Sequence, residues 1–308
     1  MLSYLPEGFL MKTQENIAAL KSFEQFKEAY IKGKQLEARA ALCDKDHNLH
    51  IDLGFVEGII PRSECAVGID DGTTKDIAII ARVNKPVRFI VTDIFSAGGK
   101  QYAYLSRKAV QEEFYKNRLP YLKRGDVIDA TVTHLESFGA FCDIGCGINA
   151  LLPIDNISVS RIPHPAVRFG VGDEIKAVVK DFDAFGRVTL SHKELLGTWE
   201  ENAELFSVGE TVSGIVRSVE SYGVFIELTP NLAGLAEYSS DVFVGQYTGV
   251  YIKSIIKEKM KFKLIIVDAF DADYPRKKPV YFTQSDHIDY FRYSPENAEK
   301  LIETRFED

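Results

Sequence analysis

The chain repeats itself, and a repeat sets the unit of folding before any single element is assigned. Residues 125–145 read GDVIDATVTHLESFGAFCDIG and residues 209–228 read GETVSGIVRSVESYGVFIEL, the same succession of apolar, small and polar positions 84 residues apart. A weaker copy starts at Gly33, where Leu36, Ala38 and Ala40 lead into His50-Ile51-Asp52-Leu53-Gly54 and Gly58-Ile59-Ile60-Pro61. Ala150-Leu151-Leu152-Pro153 and Gly234-Leu235-Ala236-Glu237 take the matching place in the other copies, and Leu105-Ser106-Arg107-Lys108 answers Leu190-Ser191-His192-Lys193. A chain of 308 residues with this pattern is a row of small domains rather than one core. The reading is an N-terminal helical segment (1–32), a degenerate first repeat (33–120), a second repeat with a linker helix (121–206), a third repeat (207–268) and a C-terminal tail (269–308).

Inside a repeat the hydrophobic period is two. Ala140, Cys142 and Ile144 alternate with Phe141 and Asp143, and Val224, Ile226 and Leu228 alternate with Phe225 and Glu227, as in half-buried strands. Ile128, Ala130 and Val132, or Val212, Gly214 and Val216, mark the first strand; Val188 and Leu190 mark the last. So many short strands in so small a unit predict closed five-stranded barrels, which leave no sheet edge exposed. The fold class is therefore mainly β: three tandem OB-fold barrels joined by short helices. Helical periodicity predicts those helices at Lys108 to Tyr115 and Glu194 to Phe206, and an amphipathic one at Thr13 to Tyr30 with Ile17, Leu20, Phe23 and Phe26 on one face. Ser294-Pro295-Glu296 reads as a helix start. Most of Tyr281, Phe282, Tyr290, Phe291 and Tyr293 are expected to pack on the third barrel, which would otherwise end the array uncapped.

The formal net charge is −8, so any polyanion must be met by local patches rather than by a basic surface. Basic and acidic residues number 13 and 12 in residues 33–120, but 8 and 13 in residues 121–206. No apolar run approaches a membrane span, and no leader pattern precedes Lys12; a cytoplasmic location is expected, with no membrane partner. Cys43, Cys65, Cys142 and Cys146 contain no CxxC pair, so neither disulfides nor a metal site is expected.

Glu136-Ser137-Phe138-Gly139-Ala140-Phe141 and Glu220-Ser221-Tyr222-Gly223-Val224-Phe225, each followed by a turn of small and apolar residues, resemble the S-one RNA-binding domain. The Leu-Ser-x-Lys endings strengthen the likeness, which covers about residues 33–268. It implies that RNA crosses one barrel face and meets the aromatics flanking the glycine, a histidine after the next turn, and an Asp and Arg near the last strand. Those roles carry over to Phe138, Phe141, Asp183 and Arg187 in the second repeat and to Tyr222 and Phe225 in the third. Pro153 and Glu237 stand at the histidine position, so each site departs from the pattern. The resemblance also implies a place in translation, with single-stranded messenger RNA as ligand and the small ribosomal subunit as partner through residues 1–120.

The residue types suit that ligand. Phe141 and Phe225 fall on the polar side of their strands, where bases stack on exposed rings for roughly 1–3 kcal/mol each with little sequence preference; otherwise one ring of each pair covers a barrel end. Lys257, Lys259, Lys261 and Lys263 alternate with Glu258, Met260, Phe262 and Leu264, predicting a strand with four ammonium groups on one side for phosphates, or else a lysine-protected edge. The first repeat sets His47 and His50 opposite Phe138 and Phe141, with Asn48, one of the few non-glycine residues that tolerate positive φ, at the glycine position. It reads as weakened for RNA.

Nucleotide-loop, zinc-hydrolase and serine-hydrolase motifs are absent. Gly98-Gly99-Lys100 is followed by Gln101 and reads as a hairpin turn. The Asp181/Asp183 and Asp271/Asp273 pairs read as solvated charges. No cofactor and no catalytic role are expected; a ribonuclease's RNA-gripping subunit and a protein-docking scaffold stand as alternatives.

Overall fold

A computed structural model describes residues 4–272 and 274–307; Asp273, half of one carboxylate pair, lies outside them. The chain divides into two compact units, one of residues up to 122 with 143–149, the other of 123–142 with 150 onward.

In the first unit the segment read as one helix is two, α1 (Gln14–Ala19) and α2 (Phe23–Ile31). Thr13 Oγ1 accepts from the Asn16 amide at 3.2 Å and Ser22 Oγ accepts from the Gln25 amide at 3.4 Å. Ser22 thus caps a new helix in the middle of the periodic run. The apolar stripe is redirected by that break: Phe26 is buried, but Ile17 is half exposed.

Six strands follow: β1 (Leu36–Arg39), β2 (Leu42–Cys43), β3 (Leu49–Asp52), β4 (Glu57–Ile60), β5 (Pro86–Ala97) and β6 (Lys100–Ser106), in the sheet order β1-β5-β6-β4-β3-β2. Only Ala40 and Ala41 separate β1 from β2. The Ala40 amide donates to the Lys85 carbonyl and the Ala41 amide to the His50 carbonyl, so one interrupted strand serves both ends of the sheet. The first repeat is therefore a six-segment sheet curled on itself, not five unbroken strands. A short helix, α3 (Ile77–Ile80), occupies the β4–β5 connection, Gly98 and Gly99 turn β5 into β6 with φ of 56° and 77°, and α4 (Lys108–Asn117) follows. Asp143 closes the unit: its carboxylate accepts from the amides of Glu7, Gly145 and Gly147 at 2.8–3.0 Å.

The second unit holds two closed barrels. One is made of β7 (Val127–Glu136), β8 (Gly139–Asp143), β9 (Asn149–Pro153), β10 (Glu174–Phe182) and β11 (Val188–Ser191), ordered β10-β11-β9-β8-β7. Between the barrels, Gly197 at φ 83° breaks the helix expected over Glu194 to Phe206. Only α5 (Trp199–Ala203) is α-helical, started by a reciprocal capping box between Thr198 and Glu201. The other barrel comprises β12 (Thr211–Glu220), β13 (Gly223–Thr229), β14 (Leu232–Ala236), β15 (Tyr247–Ile256) and β16 (Lys261–Phe270), ordered β12-β13-β14-β16-β15. Inward residues such as Ala130, Ala140 and Leu190, or Val216, Val224 and Ile226, are fully buried, as the alternation requires.

The tail departs from expectation twice. Residues 290–305 form a hairpin of β17 (Tyr290–Arg292) and β18 (Glu303–Arg305) instead of a helix. Ser294 Oγ accepts from the Ile302 amide and donates to the Lys300 carbonyl, so it closes a loop rather than capping a helix. The aromatics are also shared between barrels. Phe291 and Tyr293 join the third-barrel core, while Tyr281 sits edge-on to His192 of the second barrel and accepts from the Lys176 amide at 2.9 Å.

His192 gives this docking a pH dependence. Burial pushes its imidazole down to about 4, with Nδ1 at 3.1 Å from the Ile157 carbonyl. Unfolded, it titrates near its ordinary value of about 6.5, so below that pH the unfolded chain takes a proton the folded chain refuses. Stability from this group is intact above pH 6.5 and falls as pH drops towards 4. Urea titrations of the parent and His192→Gln should show the parent losing about 2 kcal/mol more between pH 7 and pH 5; parallel losses would place the ring in contact with water.

Candidate nucleic-acid interface

The two aromatic pairs are built alike. β7 and β12 each end in a two-residue turn carrying Phe138 or Tyr222, and Phe141 and Phe225 lie two residues into the next strand's body, beyond Gly139 and Gly223. Phe138 and Phe141 have ring centroids 6.1 Å apart at 90°; Tyr222 and Phe225 are 6.0 Å apart at 86°. Phe138 is 53% and Tyr222 68% exposed, while the two strand rings are half-buried. None of the four belongs to the buried core.

The glycines are explained by close approach. A Cβ on Gly139 would lie 2.5 Å from the Leu152 carbonyl, and one on Gly223 would lie 2.5 Å from the Ala236 carbonyl. Adjacent strand backbone therefore excludes any side chain there. Gly223 also has a φ of 152°.

Strand register extends the third-barrel face. Phe225 lies opposite Leu235, and Leu235 opposite Lys263, so an exposed ammonium stands two strands, about 10 Å, from the ring. The four-lysine ridge does not form. Lys257 to Met260 is the β15–β16 turn, with Met260 at φ 49°, and the alternating lysines hid that turn. Lys257 pairs with Glu200, and Lys259 stands 3.7 Å from Glu299. Lys261 and Lys263 remain exposed on the outside of β16.

In the second barrel Asp183 and Arg187 do come together, on the β10–β11 turn. Asp183 Oδ1 accepts from the Phe185 and Arg187 amides at 2.9 Å, and Arg187 Nε donates to Oδ2 at 2.6 Å. The Arg187 amide, foremost among these contacts, holds the Asp183 carboxyl below the usual range. Asp183 thus shapes the turn and aims an arginine that is itself 76% exposed. Between them Phe185 is 84% exposed, with the guanidinium 5.4 Å from its centroid. Sequence reasoning passed over Phe185, although a large ring inside an Asp-x-x-Gly-Arg turn has no core to join. His134 on β7, 6.4 Å from Phe141 and tilted 31°, was also passed over.

Two carboxylates placed on the solvated side are buried. Asp143 closes the first unit as described, and Glu227 accepts from both Arg168 and Arg217. In the first repeat positive φ falls on His47 (62°), not Asn48; Asn48 instead donates to Asp44. His50 lies between Asp44 (3.1 Å) and Glu57 (3.0 Å). Burial disfavours its charged form, but these two carboxylates hold the imidazole above its ordinary value. The ring is thereby committed to two acids.

Comparison with known proteins gives relatives of one kind. A family model described as the S1 RNA binding domain matches residues 121–193, the second barrel. The small ribosomal subunit protein bS1 of Leuconostoc lactis is 29% identical over 233 residues, 74% of this chain and 52% of that protein. A bS1 homolog of Bacillus cereus is 29% identical over 301 residues, 89% of this chain and 75% of the relative. The bS1 of Rickettsia conorii is 29% identical over 224 residues, 71% of this chain and 38% of the relative. The chain thus spans between 38% and 75% of the length of these curated relatives, about half of the Leuconostoc lactis protein.

Proposed function

We infer that this chain, an S1-domain protein related to the bS1 proteins of the small ribosomal subunit, binds single-stranded RNA on the outer faces of its second and third barrels. In this reading it works on the ribosome, in the cytoplasm, by holding messenger RNA rather than by catalysis. The observation that carries it is the recurrence of one exposed aromatic pair, at about 6 Å and near 90°, in two barrels of different surface composition. Core packing alone gives no reason to keep a half-exposed pair in that geometry, whereas bases stack on such rings whatever their sequence.

In this reading Phe138 and Phe141 with Phe185 and Arg187 serve the second barrel, and Tyr222 and Phe225 with Lys261 and Lys263 serve the third. Asp183 acts through Arg187, and Lys257 and Lys259 contribute little because each has an acidic partner. Lys261→Gln with Lys263→Gln should therefore flatten the dependence of log affinity on log salt by about 1.4, the value for two phosphate contacts on a single strand. Adding Lys257→Gln and Lys259→Gln should change it little further. A slope that drops by twice as much in the four-lysine variant would restore the ridge.

Co-sedimentation with small subunits and polysomes, at low and high salt, tests the ribosomal part. Co-migration that survives moderate salt is expected. Binding to free RNA with no ribosomal association at any salt would remove that part and leave the RNA faces standing.

A further inference from the structure

The first repeat lacks the aromatic pair, and its histidine at the Phe141 position is held by two carboxylates. Its rings lie elsewhere on the same outer surface. Phe95 on β5 pairs across the hairpin with Tyr102 on β6, centroids 5.5 Å apart and planes within 16° of parallel. Tyr104, two residues further along β6, is 4.9 Å from Phe95. Ala103 and Leu105 between and beyond them are buried, so the tyrosines point outwards and Tyr104 is 41% exposed.

Register ties this cluster to the face of the third barrel. Tyr104 lies opposite Ile59, and Ile59 opposite His50, just as Lys263 lies opposite Leu235 and Leu235 opposite Phe225. The row is the same, with the aromatic moved from its β3 end to its β6 end. Charge fits a polyanion. From Ile94 to Ser106 the hairpin has no carboxylate, and Lys100 at its tip is its one charge, in a chain of 45 acidic residues. The one acid bordering the platform on β5, Asp93 opposite Tyr104, accepts from the Ile94 amide at 2.8 Å. Glu57, the acid opposite Tyr102, is engaged by His50. Adjacent strands presenting near-parallel rings are a known way for a sheet to stack two or three unpaired bases.

We propose that the first repeat is a third binding site for single-stranded RNA, on a platform of Phe95, Tyr102 and Tyr104 carried by the β5–β6 hairpin. The proposal rests on the RNA-binding reading of the other two barrels. It makes the degenerate repeat a relocated site rather than an empty one.

The test uses the full chain and a fluorescent oligouridylate long enough to span several barrels. Replacing Phe95, Tyr102 and Tyr104 together by leucine keeps apolar bulk but removes the π-faces. Affinity should fall by about tenfold or more, with the circular dichroism and melting curve of the parent. If the triple variant melts early, Tyr104→Leu alone must still weaken binding by about fivefold. A folded variant that binds like the parent overturns the hairpin site, and if it has also lost co-sedimentation with small subunits the platform is a protein contact. A parent chain that binds no oligouridylate would instead overturn the RNA reading as a whole, so the two failures are distinct.

Discussion

Glu227→Ala should lower the stability of the second unit by about 3–5 kcal/mol, the cost of breaking a buried ion pair from one side. Glu227 is 4% exposed, and the Arg168 and Arg217 side chains are each 10% exposed. Each guanidinium approaches both carboxylate oxygens, so alanine would leave two cations buried beside each other. Arg168 lies between β9 and β10 and Arg217 on β12, which makes the carboxylate a tie between successive barrels of this unit. Burial raises its carboxyl, but the two arginines hold it below the ordinary value. Its contribution is therefore present above pH 4.5 and lost as pH falls through the depressed native value. Urea unfolding at pH 7 checks the magnitude; a loss below about 1 kcal/mol would mean that the arginines regain water at little cost.

The same residue shows where sequence reading stops. Alternation fixes which side of a strand a residue faces, and it placed Phe225 and Glu227 together on the outside of β13. It does not say what covers that side, and Arg168 is 59 residues away in sequence. The barrels themselves are legible because inward positions must be apolar at every second residue, and a copied pattern reinforces each strand. Single-residue events escape that logic: Ser22 starting a second helix, Gly197 ending one, Met260 at positive φ inside an alternating lysine run. The aromatic pairs and the Asp183–Arg187 contact are local in sequence and could be read directly. The hairpin cluster of the first repeat could not, because Phe95 meets Tyr102 only once the turn at Gly98-Gly99 sets the register.

Phe141→Ala combined with Phe225→Ala should weaken single-stranded RNA binding by about 2–6 kcal/mol if the two faces act independently. Each substitution removes a half-buried ring that packs edge-on against its partner, so Phe138 and Tyr222 also lose the neighbour that orients them. Salt dependence should hardly move, since no phosphate contact is removed. That separates this variant from the Lys261 and Lys263 pair, whose effect lies in the slope. Melting curves must match the parent, because a lost barrel would imitate a lost platform. A folded double variant with parental affinity would return the rings to a protein interface or to the barrel ends.

The most direct test of the stacking faces is to irradiate the full chain with a photoreactive oligouridylate and map the crosslinked residues by mass spectrometry. Stacking predicts adducts on Phe138, Phe141 or Phe185 of the second barrel and on Tyr222 or Phe225 of the third. Adducts confined to lysine-rich or tail peptides, with none on either aromatic pair, would contradict it.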